Sequence, residues 1–155
     1  MIKNYWTVLI LIILILVLSV IFSFYRNKIQ MAQVIINGHE FNVELAKTET
    51  EREKGLMGRT SLDINNGMLF IFDKSDVYSF WMKDTKMPLD IIWINYDPSN
   101  ARASKIVEIT TLNPQNGHDI PKYTPQNIAN YVLEINAGTV ARYGFKIGDN
   151  VAINY

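Results

Sequence analysis

Hydrophobic and polar positions divide the chain into one continuous apolar block and a series of short alternating segments. The block covers residues 5–25, reads YWTVLILIILILVLSVIFSFY and contains no charged residue. As a helix rising about 1.5 Å per residue, it would span the roughly 30 Å hydrocarbon layer of a bilayer. No small-residue cleavage site follows it. The pattern therefore predicts a transmembrane helix at residues 5–25 inside an uncleaved anchor, residues 1–28, with the lipid bilayer as its partner.

The charges beside this block say little about its orientation. Lys3 lies on one side, whereas Arg26 and Lys28 lie on the other, so the basic residues impose almost no bias. The likeness of the block to an uncleaved signal sequence favours a C-terminal domain outside the membrane. We therefore expect a single-pass protein of the cell membrane with an extracytoplasmic domain.

After a tether at residues 29–32, the apolar pattern changes to a period of two. Residues 33–46, QVIINGHEFNVELA, form two alternating segments around Asn37-Gly38. This pair is a strong hairpin signal, because a type I′ turn needs positive φ at both central residues. Next, Thr48 and Glu51 have the spacing of a capping box. They predict a short helix that ends near Gly55 or Gly58.

The remaining segments continue the β pattern. Residues 137–143 are expected to form a second short helix, with Asn136 as a candidate cap. Between the hairpin and this helix, five strands are predicted, at residues 67–73, 77–82, 89–96, 104–112 and 131–136. A last strand is predicted after the helix, at residues 150–155. Many short strands with few helices are typical of a sandwich or barrel. Residues 33–155 are therefore predicted to be one mainly β domain with some α+β character.

One connection is unusually long for a compact domain. Residues 113–130, NPQNGHDIPKYTPQNIAN, contain three prolines and little periodicity. Loops of this length are uncommon and often carry binding functions. We expect this loop to form the rim of a site or a contact surface for a partner.

Charge and composition exclude some functions. The chain has 15 basic and 15 acidic residues, but three basic residues flank the apolar block, so residues 31–155 carry 12 against 15, a formal charge of −3. Nucleic acid is not a predicted partner, because phosphate binding needs a concentrated basic face. The absence of cysteine excludes disulfides, thiolate metal sites and cysteine nucleophiles.

Five motifs resemble, in order, those of the domain of unknown function 192 (DUF192) family. They are GLMGR at 55–59, GMLFIF at 67–72, FWMKDTKMPLDI at 80–91, LEINAG at 133–138 and Gly148-Asp149. The resemblance covers essentially residues 33–155. It implies an exported or membrane-anchored protein with a jelly-roll-like β-sandwich or barrel and no established activity. This chain has Asp84 where the family usually has asparagine.

Two acids occupy apolar strand faces. Period-two alternation puts Asp90 on the face of Ile92 and Ile94, and Glu134 on the face of Val132. Such acids must be paired, protonated or directed at a ligand. They could accept backbone hydrogen bonds or pair with Arg59 or Lys83. Alternatively they contribute to a shallow site formed by Arg59, Trp81, Lys83, Asp84, Thr85, Asp90 and Glu134.

These residues leave three functions open. A binding or accessory module of the cell envelope, with a glycan or protein partner, is favoured. If Asp90 and Glu134 faced each other across a groove, they could be the catalytic pair of a small glycan hydrolase, although no other catalytic signature such as G-x-S-x-G is present. The third function is a protein interaction domain that uses residues 113–130.

Methionines raise the question of a metal. Thioether sulfurs select Cu(I), and the chain has four methionines with Trp81 alongside: Met57, Met68, Met82 and Met87. Met82 and Met87 are the candidate ligands. Methionine is more often a core residue. The two histidines, His39 and His118, have no metal-ligand spacing. No cofactor is predicted.

Overall fold

The computed structural model describes residues 3–26, 30–100, 104–115, 117 and 119–155. The chain divides into two compact units, Met1–Gln30 and Met31–Tyr155. Residues 1, 2 and 27–29 of the predicted anchor and tether lie outside the described residues.

The first unit is one helix, α1 (Lys3–Arg26), whose described side chains are exposed. Among the described residues, no helix combines the length and the apolarity that crossing a membrane requires. The predictions of a transmembrane helix at residues 5–25 and of a single-pass membrane protein are therefore wrong.

The second unit contains seven strands and two short helices. A single sheet has the strand order β5-β4-β6-β3-β2-β1-β7, in which β2 and β3 are parallel and the other neighbours are antiparallel. In chain order the elements are β1 (Met31–Ile36), β2 (His39–Ala46), α2 (Glu49–Lys54), β3 (Asn66–Asp76), β4 (Leu89–Asn95), β5 (Lys105–Leu112), β6 (Ala129–Asn136), α3 (Thr139–Tyr143) and β7 (Val151–Asn154).

The two edge strands of this sheet meet at one end. Lys105 in β5 bridges Asn150, directly before β7, and the Ile106 N–H donates to the Asp149 carbonyl at 3.0 Å. The sheet thus curls into a mainly β half-barrel. The predicted fold, a jelly-roll-like sandwich or barrel preceded by a transmembrane helix, is wrong. The two strands that meet are the two edges of the same curled sheet, and no second sheet packs against it among the described residues.

Local signals place the hairpin and α2 as predicted. Asn37 and Gly38 have φ values of 50° and 82°, as a type I′ turn requires. Thr48 and Glu51 form the capping box of α2. Gly55, at φ 45°, ends that helix.

Two local predictions are wrong. Residues 77–82 form no strand, and only Phe80 makes an isolated bridge, to Tyr123. The second short helix begins later than expected, at Thr139, with Gly138 as its N-cap. The Asn136 side chain instead donates to the Leu62 and Asp63 carbonyls.

The central strands bury apolar side chains on both faces. The first core includes residues from all seven strands, such as Val34, Phe41 and Leu133. The second core lies on the other face, where Phe70, Ile91, Trp93 and Val132 are covered by non-strand segments. Those segments contribute Leu56, Phe80, Met82 and Met87, with Tyr123 packed against them.

The close contact between β3 and β6 can be tested at Gly67. A Cβ at Gly67 would lie 2.5 Å from the Glu134 carbonyl oxygen and 2.9 Å from Ile135 Cγ2. Gly67→Ala should therefore lower the free energy of unfolding by about 1–3 kcal/mol, measured by urea denaturation. Gly38→Asn is the control, because its turn has space and asparagine tolerates positive φ. An alanine variant as stable as the control variant would contradict the close approach.

Candidate functional site

A pocket of about 750 Å³ opens over the second core. Its walls come from α2 and the turn after it, the middle of β3, residues 78–85 and Lys122. Glu134 contributes from β6. Glu134 is buried in the sheet beneath the covering segments, so it lies at the base of the pocket.

The Glu134 carboxyl has an unusual environment. Glu134 is opposite Met68 on β3 and Ile91 on β4, which are both second-core residues, and it is only 5% exposed. Within the described part of the chain, no group makes a hydrogen bond or ion pair with its side chain. Burial raises its pKa to about 8, since water is lost and no donor replaces it. At neutral pH this side chain is mostly a neutral acid that can both donate and accept.

Aromatic residues form the apolar wall of the pocket. Phe70 from β3 meets Phe80 edge to face, with ring centroids 4.9 Å apart. Phe80 also meets Trp93 at 5.7 Å, and the Trp93 indole N–H donates to the Tyr78 carbonyl at 2.9 Å. These contacts hold residues 78–81 against the sheet without a strand.

The rim beside this wall carries two lysines over one tryptophan. Trp81 is 37% exposed. Lys122 Nζ lies 4.6 Å from its ring centroid, and Lys83 Nζ lies 5.2 Å from it. Both distances fall within cation–π range. The salt bridge found among the described residues involves neither lysine.

The opposite part of the rim is of mixed charge. Arg52 of α2 donates to the carbonyls of Lys47 and Ile71, and its guanidinium lies 5.0 Å from the Phe72 ring centroid. The other charged side chains contributed by α2 and β3 to the lining are Glu49, Glu53, Lys54, Asp73 and Lys74. Positive charge is therefore unopposed only at the Trp81 end of the lining.

Four of the seven predicted ligand-binding residues line this pocket. Trp81, Lys83, Thr85 and Glu134 do so, and Arg59 does not. The Arg59 guanidinium instead makes a bidentate salt bridge to Glu44 on β2, with both N–O distances 2.6 Å. This pairing raises the Arg59 pKa above its ordinary value. Arg59 thus ties the turn after α2 to the sheet.

Asp84 has a backbone role. Its φ is 52°, and its carbonyl accepts from the Gly58 N–H at 2.8 Å. Asparagine and aspartate are the non-glycine residues that best tolerate the left-handed region. The exchange of the family's usual asparagine for aspartate therefore keeps the turn.

Asp90 lies on the face opposite to Glu134. In the sheet Asp90 is opposite Ile135, a first-core residue, whereas Glu134 is opposite Ile91. The Asp90 carboxylate accepts from the Thr111 hydroxyl at 2.7 Å and from the Val140 N–H at 2.8 Å. Asp90 thus holds the first turn of α3, and the two acids do not face each other across a groove.

The candidate copper ligands belong to the core. Met82 is 1% exposed and Met87 is 5% exposed, and both pack in the second core. Among the described residues, no group of three or more His, Asp or Glu side chains is arranged to hold a metal. His118 lies outside the described residues.

Sequence reasoning missed Lys122 and Glu108. Lys122 belongs to a segment that we call the strap, residues 119–128, within the long loop. Glu108 of β5 fastens the strap, because its carboxylate accepts from the Tyr123 hydroxyl at 2.7 Å and from the Gln126 and Asn127 N–H groups. Burial alone would raise the pKa of Glu108, but these bonds outweigh it and lower the pKa. The one available signal was an acid next to isoleucine and valine in a predicted strand.

Comparison with known families identifies the chain. The DUF192 family, described as an uncharacterized ACR, matches residues 32–153. This chain belongs to the DUF192 family. No curated protein matches the chain.

Two solved structures are similar to the chain. A protein of unknown function from Novosphingobium aromaticivorans DSM 12444 is 36% identical over 80% of this chain and 84% of its own, with a TM-score of 0.65. A protein from Sinorhizobium meliloti 1021 described as "a putative transcription regulator" is 34% identical over 79% and 91%, also with a TM-score of 0.65.

The structural role of Asp90 can be tested by truncation. Asp90→Ala should lower the free energy of unfolding by about 2–4 kcal/mol, because it leaves the Val140 N–H and the Thr111 hydroxyl without their acceptor. Urea denaturation measures this. Thr111→Val is the matched variant. It should lower the free energy of unfolding by only about 1 kcal/mol, since Asp90 still accepts from the Val140 N–H. If both variants lowered the free energy of unfolding equally, the hydrogen bond from the Val140 N–H to Asp90 would contribute nothing to stability.

The buried carboxyl of Glu134 predicts a pH-dependent stability. Its pKa is raised in the folded chain, so its contribution is fully present below the ordinary value of 4.5 and is lost as pH rises toward about 8. Glu134→Gln cannot ionise. It should match the natural chain at pH 4 and exceed it at pH 8.5 by roughly 4–5 kcal/mol.

Thermal unfolding from pH 4 to 8.5 measures this difference, and ¹³C NMR of the Glu134 carboxyl gives its pKa directly. Asp119→Asn, an exposed change outside the pocket, is the control and should show no such trend. A stability difference for Glu134→Gln that stays constant over this pH range would refute the assignment.

Proposed function

We propose that the β domain is a ligand-binding module whose site is the pocket over Glu134. One observation carries the proposal: a carboxyl that is 5% exposed lies at the base of a large pocket and has no hydrogen-bond partner among the described residues. Among the described residues, no fully buried side-chain polar atom lacks a hydrogen-bond partner, so the unpaired Glu134 oxygens open onto the pocket, where a ligand can reach them. A polar group of a bound ligand would supply the missing partner.

The rest of the pocket supports the same proposal. Small-molecule sites are concave, mainly apolar or aromatic, and contain a few polar groups that fix orientation. Here Phe70 and Phe80 provide the apolar surface, and Glu134 provides one donor and one acceptor when neutral. The volume of about 750 Å³ is within the usual range for such sites.

The geometry gives less support to the other functions. A glycan hydrolase using Asp90 and Glu134 needs both acids on one substrate, but they lie on opposite sheet faces. The description of the Sinorhizobium meliloti protein as a regulator does not lead us to propose DNA binding, because residues 31–155 carry a formal charge of −3. Binding of a small molecule is therefore the function that we put forward.

A fragment screen on the full chain tests the proposal. We expect some polar aromatic fragments to shift the ¹³C signal of the Glu134 carboxyl and the indole signal of Trp81. Glu134→Leu should weaken these fragments at least tenfold, because the hydrogen bond is lost. Asp119→Asn should leave their affinities unchanged. The proposal fails if no fragment shifts either signal, or if Glu134→Leu binds all fragments as well as the natural chain does.

A further inference from the structure

The two lysines at the Trp81 end of the pocket are exposed and can donate hydrogen bonds to a ligand. An ammonium group has three N–H donors, and a cation–π contact uses the charge of the group but none of those donors in a directed bond. Within the described residues, Lys83 and Lys122 contact Trp81, and neither has a carboxylate partner. Two positive charges therefore lie within 5.2 Å of one ring centroid.

The two lysines come from separate segments of the chain. Lys83 follows Trp81 in the connection before β4, whereas Lys122 comes from the strap, which Glu108 fastens from β5. The backbone bonds between Phe80 and Tyr123, at 2.9 and 2.7 Å, place these segments side by side. Tertiary contacts thus bring the two lysines together, and the pair does not come from one charged segment of the sequence.

The lining residues at this end include no acid. The acids of the pocket lining come from α2, β3 and β6, and residues 78–85 and the strap contribute only Lys83 and Lys122 as charged groups. Phe80, which is buried, and Trp81, which is partly exposed, also line the pocket. The lining thus combines exposed cations, aromatic surface and the buried Glu134 carboxyl.

We infer that the pocket binds an organic anion with an aromatic or bulky apolar body, whose carboxylate or phosphate group meets the ammonium groups of Lys83 and Lys122 at the Trp81 end. The apolar body packs against Trp81, Phe80 and Phe70, and a polar group at its far end meets Glu134. An anion at this end can accept charge-assisted hydrogen bonds from these ammonium groups. This inference rests on the proposed function and names the class of ligand.

Three probes that differ in one group test the inference on the full chain: 2-naphthoate, 2-naphthyl phosphate and the neutral 2-naphthamide. Isothermal titration should show at least one of the two anions binding tenfold or more tightly than the amide. That preference should shrink at high salt, because the rim is accessible to solvent. The relative affinity of naphthoate and naphthyl phosphate tells which anionic group the rim prefers.

Lysine variants locate the effect. Lys83→Met and Lys122→Met should each reduce the anion preference several-fold, and together they should abolish it, while binding of the amide stays unchanged. Lys86→Met is the matched control, because Lys86 is exposed in the same connection but does not line the pocket. It should keep the full preference.

The outcomes separate this inference from the proposed function. If the amide binds as tightly as both anions, or if the double variant keeps the preference, the anion assignment is overturned and the pocket still binds ligands. If none of the three probes binds, the assignment of the ligand class is also overturned, and the fragment screen decides the proposed function by itself.

Discussion

The structure depends on a sheet whose central strands are apolar on both faces. Strands β3, β4 and β6 bury one set of side chains in the first core and another in the second. The curl of the sheet covers the first set. The second set needs a separate cover, and non-strand segments provide it. Burial of this second face at roughly 25 cal/mol per Å² fixes the turn after α2, residues 77–88 and the strap in place.

That cover is incomplete over Glu134, and the gap is the pocket. The covering segments are held by directed contacts, such as the Arg59–Glu44 pair and the bonds from the strap to Glu108. The covering segments are therefore fixed around the opening. A rigid aromatic wall is what a binding site needs to limit the entropy lost on association.

Two acids with the same sequence pattern illustrate why environment decides function. Asp90 and Glu134 each sit in an apolar alternating strand, and their strands are neighbours in the sheet. Asp90 meets a helix N–H and a hydroxyl, so it serves as a structural acceptor. Glu134 meets only apolar neighbours and the pocket, so its pKa rises to about 8. The difference arises from the elements that each face happens to meet.

Local signals in the sequence determined the hairpin at Asn37-Gly38, the capping box at Thr48 and Glu51, and the faces on which Asp90 and Glu134 lie, because each depends on neighbours a few residues away. The motif pattern also indicated the DUF192 family, which the comparison confirms. Only the tertiary structure decided that one sheet curls into a half-barrel, that residues 77–82 form a wall without being a strand, and that Lys122 joins Lys83 over Trp81. These features depend on contacts between segments far apart in the chain. Strand order and loop positions depend on which distant segments bury each apolar face of the sheet. The alternation of apolar and polar residues along a single strand does not specify those segments.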